Sequence, residues 1–420
     1  MGRGLIIAAP GSGSGKTTVT LGVIRALRNA GVSLRGAKSG PDYIDPRFHE
    51  AASGKQAMNL DAWAMTQAQI RCLAAGDDLL IIEGAMGLFD GAPPLGKGAC
   101  ADIARSLGLP VVLVVDASHM AQSVAALVGG FARHDAKVRV AGVILNKVGS
   151  SRHEAMLRAA LLPSNIPVLG AVHRDGALAL PSRHLGLVQA GEHRALEGFI
   201  AQAAEVMDKS IDLKMLEKIA APFEATGFDQ KLKNTRPQTI AIARDAAFAF
   251  TYPHQLAAWQ HSGATLKFFS PLADDPVPDA DWVFLPGGYP ELHAGQLAAA
   301  STFLTSLRNA AKTTRVYGEC GGYMVLGEGL TDQDGTRHKM AGLLGLETSF
   351  ATRKLHLGYR DLSALGGWMP GAHKAHEFHY ATTVDRQGAP LWHAQDAQGN
   401  DLGPIGLVEG HVQGSFAHVI

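Results

Sequence analysis

The chain has 420 residues, 46% of them apolar and 18% charged, and its 38 basic side chains balance 38 acidic ones. That length, enough for roughly two or three domains, and that apolar share exclude disorder as the main state. The balanced charge, with no basic run or stripe, argues against a nucleic-acid partner.

Taken in chain order, short β-branched runs alternate with helical stretches as far as about residue 175. Strands are predicted at Leu5-Ile6-Ile7 and over 79–82, 111–115, 138–145 and 168–172, with the first helix starting at Thr17. The pattern predicts α/β architecture: a parallel sheet covered by helices on both faces. Helical pieces follow over 192–208 and 211–221. The polar tract 227–237, ending in Pro237, is the expected linker between a domain over 1–226 and a second α/β domain over 238–420. In the second domain strands are predicted over 239–243, 265–269, 282–285 and 315–317, with helices near 252–261 and 294–309. From Met340 onward, short strands containing Gly and His are expected as an antiparallel addition to the second sheet.

The apolar run Leu5-Ile6-Ile7 is too short for an export-signal core, and Val111 to Val115 falls far short of the roughly 20 residues a bilayer span requires. The cysteines, Cys72, Cys100 and Cys320, form no CxxC pair, which fits a reducing compartment. A cytoplasmic protein without a membrane partner is expected.

Pro10-Gly11-Ser12-Gly13-Ser14-Gly15-Lys16-Thr17-Thr18 lies between the first strand and the first helix, where a phosphate-binding loop belongs. Glycines let backbone N–H groups converge on phosphate oxygens, Lys16 adds a point charge, and the Thr17 hydroxyl can hold Mg²⁺. The strict pattern needs Gly where Pro10 stands, so the loop is a variant. Gly13, Ser14, Gly15, Lys16, Thr17, Thr18 and Asn146 are the expected ATP contacts. Partitioning ATPases usually carry a second lysine at the position of Gly11, which argues against that class.

Glu83 closes a strand and opens Glu83-Gly84-Ala85-Met86-Gly87-Leu88-Phe89-Asp90-Gly91. An acid at the carboxyl end of a strand beside the loop can reach Mg²⁺; the plain alternative is a strand-end acid facing solvent. Lys38-Ser39-Gly40-Pro41-Asp42-Tyr43-Ile44-Asp45-Pro46 is a stiffened loop able to bind metal, nucleotide or substrate, although a solvated turn fits its spacing equally well. Asp45 is the expected metal ligand, Lys38, Asp42 and Tyr43 are substrate candidates, and Asp61 is a weaker acid of the same kind.

Val316-Tyr317-Gly318-Glu319-Cys320-Gly321-Gly322-Tyr323-Met324 reads as a strand, a sharp turn and a helix. A thiol at such a turn is exposed, and the helix N-terminus favours its thiolate. A buried structural thiol is the alternative. Among 18 histidines, His418 has only a short strand and its late position to recommend it as the base. In His376-Glu377-Phe378-His379-Tyr380 the two histidines would point to opposite faces of a strand, so they are not expected to share a metal.

These stretches, with Leu285-Pro286-Gly287-Gly288-Tyr289-Pro290-Glu291-Leu292, resemble the cobyrinate or hydrogenobyrinate a,c-diamide synthases in order and over nearly the full length. That family joins a dethiobiotin-synthetase-like ATP domain to a class I glutamine amidotransferase-like domain. The resemblance implies that Cys320 attacks glutamine to form a thioester and release ammonia, with His418 as base and Gly288 and Gly321 as oxyanion donors. Many class I enzymes carry Glu two residues beyond the histidine; here Ile420 stands there, so a Cys/His dyad is implied and nothing identifies what orients the imidazole. His376, Glu377 and Tyr380 are set down as substrate contacts. In the ATP domain the resemblance implies Mg²⁺-dependent transfer of the γ-phosphate to a corrin carboxylate, then displacement by ammonia that travels internally. The implied partners are the corrin carboxylate, ATP and L-glutamine, with a homodimer as an allowed assembly. Cobyric acid synthase shares both domain types, but the Gly-Pro-Asp-Tyr-Ile-Asp loop favours the diamide enzymes. A nucleotide-gated regulatory protein is the reading from another class, opposed by Gly11 and the intact Cys320 turn.

Overall fold

The computed structural model describes residues 2–178, 182–183, 186–187, 190, 195–225 and 238–420. The chain forms two compact units, Met1–Phe228 and Asp229–Ile420. The linker expected over 227–237 lies outside the described residues, as does the start of the helix expected over 192–208.

The first unit alternates β1 (Gly2–Ala8), α1 (Lys16–Asn29), β2 (Leu34–Ser39), α2 (Asp45–Ser53), β3 (Met58–Leu60), α3 (Gln67–Leu73) and β4 (Leu79–Glu83). It continues with α4 (Cys100–Leu107), β5 (Val111–Asp116), α5 (Val124–His134), β6 (Val140–Val148), α6 (Ser151–Leu161) and β7 (Val168–His173). A short pair, β8 (Ser182–Arg183) and β9 (Gly186–Leu187), precedes α7 (Leu196–Ser210), α8 (Leu213–Ile219) and β10 (Ala221–Phe223). The main sheet runs β3-β2-β4-β1-β5-β6-β7, all parallel, with β10 antiparallel to the start of β1. Its central strands are unbroken apolar runs because both faces are covered: Leu5, Ile6, Ile7, Ile81, Ile82 and Val111 to Val115 are fully buried. Register aligns Lys38 with Glu83 and Asp116 with Asn146 toward the carboxyl ends of these strands, where open α/β sheets bind ligands.

The second unit contains β11 (Thr239–Ala243), α9 (Pro253–His261), β12 (Thr265–Phe269), β13 (Trp282–Leu285), α10 (Ala294–Ala299), α11 (Ser301–Ala310), β14 (Arg315–Glu319) and α12 (Gly321–Leu326). The single helix expected over 294–309 breaks at Ala300, whose ψ of 75° leaves the helical region. The main sheet runs β12-β11-β13-β14 and then takes Val412–Ser415, parallel to β14, and Leu407–Glu409, antiparallel to that. Only part of the late region extends this sheet as expected. Val412–Ser415 occupies the open edge of β14, and most of the others pair among themselves in a four-stranded and a five-stranded sheet. The five-stranded one contains His356–Ala364, Ala372–His379 and His418–Val419. Among the described residues no helix is long and apolar enough to cross a membrane.

Candidate active sites

In the first unit the phosphate loop leaves β1 and enters α1. Gly15 has φ 79°, and a Cβ there would lie 2.3 Å from Asn146 Nδ2, so only glycine fits. Asn146 Nδ2 donates to the Ser14 carbonyl at 2.8 Å. Lys147 Nζ donates to the Gly13 carbonyl at 2.8 Å and pairs with Asp116 at 2.7 Å. The loop is thus braced from the ends of β5 and β6. Lys16 Nζ donates to the Met86 carbonyl at 3.2 Å, and burial, with the charge of Lys38 adding, lowers its pKa. Beside the loop a cavity of about 180 Å³ is lined by Gly15, Thr18, Asn146, Lys147, Arg174 and Met207. It offers room for part of a nucleotide whose phosphates sit on the loop.

Thr17 Oγ1 donates to Glu83 Oε1 at 2.6 Å. Lys38 Nζ lies 2.9 Å from the same oxygen and also pairs with Asp45, while His49 Nε2 lies 2.7 Å from Glu83 Oε2. Lys38, Asp45, His49 and Glu83 are all buried, so two carboxylates share one ammonium in a poorly solvated site. Burial opposes charge on Glu83, but Lys38 and His49 hold its pKa well below the usual carboxylate range. Asp45 has burial and the Asp42 charge against it, and despite Lys38 is pushed up to about 7. Burial also opposes the Lys38 charge, yet Asp45 and Glu83 keep its pKa above the ordinary lysine value. A hydroxyl and two carboxylates are hard oxygen donors of the kind Mg²⁺ takes, so Thr17, Glu83 and Asp45 fit that ion by donor type, with the Lys38 ammonium bridging the two carboxylates in this structure.

The remaining acids of this region do structural work. Asp42 Oδ1 accepts from the N–H groups of Ile44 and Asp45 at 2.8 and 3.0 Å, at the start of α2. Asp61 Oδ1 accepts from those of Trp63 and Ala64 at 2.9 and 3.0 Å, capping the turn after β3. Tyr43, next in sequence to Asp42, is buried.

In the second unit Cys320 joins β14 to α12 with φ 46° and ψ −104°. A non-glycine residue holds that strained conformation only where the surrounding fold imposes it, as at a nucleophile turn. Its N–H donates to the Ser415 carbonyl at 2.8 Å, which ties the turn to the neighbouring strand. A Cβ on Gly321 would lie 3.1 Å from the Gly288 nitrogen, so these two backbone segments meet beside the thiol. A Cβ on Gly287 would lie 2.4 Å from His418 Cε1, 3.0 Å from its Nε2 and 3.3 Å from Cys320 Cβ. The Gly287 backbone therefore packs against both the cysteine and the histidine, and a side chain there would enter their shared space.

The exposed, thiolate-favouring position expected for Cys320 is corrected by the structure. Cys320 is 2% exposed, and burial, with the charge of Glu291 adding, pushes its thiol pKa up. The N–H of Gly321 acts the other way but is outweighed. One short helix end cannot offset full desolvation. In the absence of glutamine, Cys320 is accordingly expected to react with iodoacetamide more slowly than a free thiol at pH 7–8, with a rate still climbing above pH 9. Peptide mass spectrometry after timed labelling, with half-buried Cys72 as internal reference, checks this; a rate that plateaus below pH 8 would contradict it.

His418 is fully buried in the strand His418–Val419 and stands opposite His376 in register. Burial, with the proximity of His418 adding, pushes the His376 pKa down to about 3. Glu377 accepts from Arg360 Nε at 2.7 Å and has His379 Nε2 at 2.8 Å. Burial opposes its charge, but His379 and Arg360 bring its pKa down to about 2. Of the expected substrate contacts, His376 thus lies against His418, Glu377 is already engaged, and Tyr380 is half-buried. His376 and His379 face different partners, Tyr359 and His356 in register, as strand periodicity requires. His356, Glu377 and His379 do bring ligand atoms within 4.8 Å of one another. The Arg360 guanidinium on Glu377 already supplies the positive charge there, and no metal is assigned.

Lys147, His49 and Glu319 were not singled out from the sequence. Lys147 adjoins Asn146 and could have been found by that adjacency. Glu319 is a buried acid at the end of β14, directly before Cys320. His49 gives no signal beyond its place on α2.

Residues 5–188 match the CobQ/CobB/MinD/ParA nucleotide binding domain, and residues 239–420 match the CobB/CobQ-like glutamine amidotransferase domain. The chain is 56% identical over 432 residues to a hydrogenobyrinate a,c-diamide synthase of Brucella anthropi, covering 100% of this chain and 98% of that one. The enzyme of the same name from Rhizobium meliloti is 56% identical, covering 100% and 99%. That from Rhodobacter capsulatus is 52% identical, covering 100% and 98%. With both domain types matched in order and the likeness unbroken from end to end, the chain belongs to the hydrogenobyrinate a,c-diamide synthase family.

Proposed function

We propose that this chain joins nitrogen from L-glutamine to the a and c carboxylates of hydrogenobyrinate, with ATP as the activating cosubstrate. One observation carries the reading: one chain holds a phosphate loop with an acid at its threonine and, in a separate unit, a thiol on a strained turn near a buried histidine. Glutamine hydrolysis coupled to carboxylate activation needs both. The relatives' names supply the ring, and they favour the cobalt-free acid.

At the thiol, His418 takes the S–H proton as the sulfur of Cys320 attacks the side-chain amide carbon of glutamine. The C–S bond forms, the C–N bond breaks, and His418 returns the proton to the leaving nitrogen, which departs as ammonia. Water then cleaves the thioester to glutamate. The N–H groups of Gly288 and Gly321 are proposed to hold the oxyanion. At the phosphate loop, Lys16 and the backbone N–H groups of Gly13 to Thr18 hold the phosphates while a ring carboxylate attacks the γ-phosphorus and ADP leaves. Ammonia then attacks the acyl carbon and phosphate departs. Thr17, Glu83 and Asp45 would hold Mg²⁺, which supplies charge neutralisation on the β- and γ-phosphates. Lys38 is proposed for the carboxylate under attack, with Asp42 and Tyr43 flanking it. The reading includes a cytoplasmic location, allows a homodimer, and leaves nucleic acid and membrane out.

Incubation with ATP, glutamine and either hydrogenobyrinate or its cobalt-containing counterpart, followed by mass analysis, tests this. The expected product is the diamide of the cobalt-free acid. Failure to amidate either ring acid would sink the reading, and amidation of the cobalt form alone would move the substrate assignment.

A further inference from the structure

The implied dyad leaves His418 without the acid that usually follows it, since Ile420 stands at that position. The fold brings an acid there from another strand. Glu319 is the last residue of β14, 1% exposed, and directly precedes the nucleophile. Its Oε2 lies 3.5 Å from His418 Nδ1, and its Oε1 accepts from the Val419 N–H at 3.0 Å. Both carboxylate oxygens are therefore turned to the two-residue strand that carries the base. The opposite edge of the same imidazole, Cε1 and Nε2, faces Gly287, which also contacts Cys320. The ring is bracketed, with an acid at Nδ1 and the thiol's surroundings at Nε2.

A carboxylate this buried must be compensated by hydrogen bonds or a cation; the fold supplies the Val419 N–H as a hydrogen bond and sets the His418 ring 3.5 Å away, where it becomes a cation partner when protonated. Burial and the Glu319 charge together push the phenol of Tyr317, two residues back on β14, well above its usual pKa. His376, across from His418, is held in its neutral form and does not compete as a cation. We propose that Glu319 is the positioning residue of the thiol site, an orienting acid delivered from immediately before the nucleophile instead of from after the histidine. It keeps the ring N–H on Nδ1, leaves the Nε2 lone pair to accept the Cys320 proton, and stabilises the imidazolium formed when it does. The assignment rests on Cys320 and His418 acting as proposed above.

Glu319→Gln tests it, because the amide keeps the shape and an oxygen for the Val419 N–H while removing the charge. The expected result is a fall in glutaminase kcat of about 10²–10⁴-fold, with the KM for glutamine within about twofold and amidation from added ammonia retained. A glutaminase kcat within about twofold of the unmutated chain would overturn the proposal. Loss of the glutamine and ammonia activities together would also overturn it, since that is how a purely structural residue behaves. A second measurement does not depend on the variant: in the full chain labelled with ¹⁵N-histidine, His418, identified by comparison with His418→Gln, should be the Nδ1–H tautomer when neutral. The Nε2–H tautomer would contradict the proposal. Cys320→Ser run in parallel separates the two levels. If it retains glutaminase activity, the reading of the thiol site is itself wrong; if it loses that activity while Glu319→Gln does not, only the positioning role fails.

Discussion

Cys320→Ser is expected to lower glutamine-dependent amidation by at least about 10³-fold, while amidation from high ammonia persists. On the proposed reading ammonia enters after the step that needs the thiol, so the two nitrogen sources report on different chemistry. Serine is close in size to cysteine and keeps the backbone N–H that bonds the Ser415 carbonyl, so the strained turn should survive. Neither other thiol is a substitute. Cys100 is packed under Gly84, where a Cβ would lie 2.8 Å from its sulfur, and burial pushes its pKa up to about 12. Cys72 is only half-buried, and burial raises its pKa too. Mass analysis of the ring product with each nitrogen source checks the result. Loss of both activities would make Cys320 structural, and retention of both would place the nucleophile elsewhere.

The parts legible in the sequence were those set by neighbours along the chain. The phosphate loop, the Cys320 turn and the strands Thr239–Ala243, Thr265–Phe269 and Trp282–Leu285 all announce themselves in consecutive residues. β2 did not, because Arg35, Gly36 and Lys38 interrupt its apolar pattern; its Gly36 is needed where His49 packs, a Cβ there lying 2.7 Å from that of His49. What pairing across the sheets decides was also hidden. Lys38 meets Glu83 because β2 and β4 are in register, and His418 meets His376 because the last strand joins Ala372–His379. The thiol's environment could not be read either: a turn motif signals geometry, whereas the pKa of Cys320 depends on how completely distant strands cover it. Glu319 and Val419 are 100 residues apart, and the parallel pairing of β14 with Val412–Ser415 helps bring that end of the chain back to the turn.

Lys16→Ala and Glu83→Gln are each expected to cut amidation by about 10²–10³-fold with glutamine and with ammonia alike. On the proposed reading both side chains sit where charge shifts as the γ-phosphoryl group moves, so a chain lacking either one should not form the acyl phosphate, and no nitrogen source should rescue it. The two should part in binding. Lys16 would touch the phosphates themselves, so its loss should weaken ATP binding. Glu83→Gln keeps an acceptor for Thr17 Oγ1 and removes only charge, so it should blunt the response to Mg²⁺ more than nucleotide affinity. Stability needs its own control. Removing one partner of a buried ion pair can cost about 3–5 kcal/mol when the other is left alone, but Lys38 retains Asp45 as a partner. A smaller loss is therefore expected, to be read from thermal unfolding of the variant. Titration of ATP at several Mg²⁺ concentrations, beside turnover with ammonia, completes the test. Near-normal ammonia-dependent turnover in either variant would remove that residue from phosphoryl transfer, and a Glu83→Gln chain with an unchanged Mg²⁺ response would move the ion to other ligands.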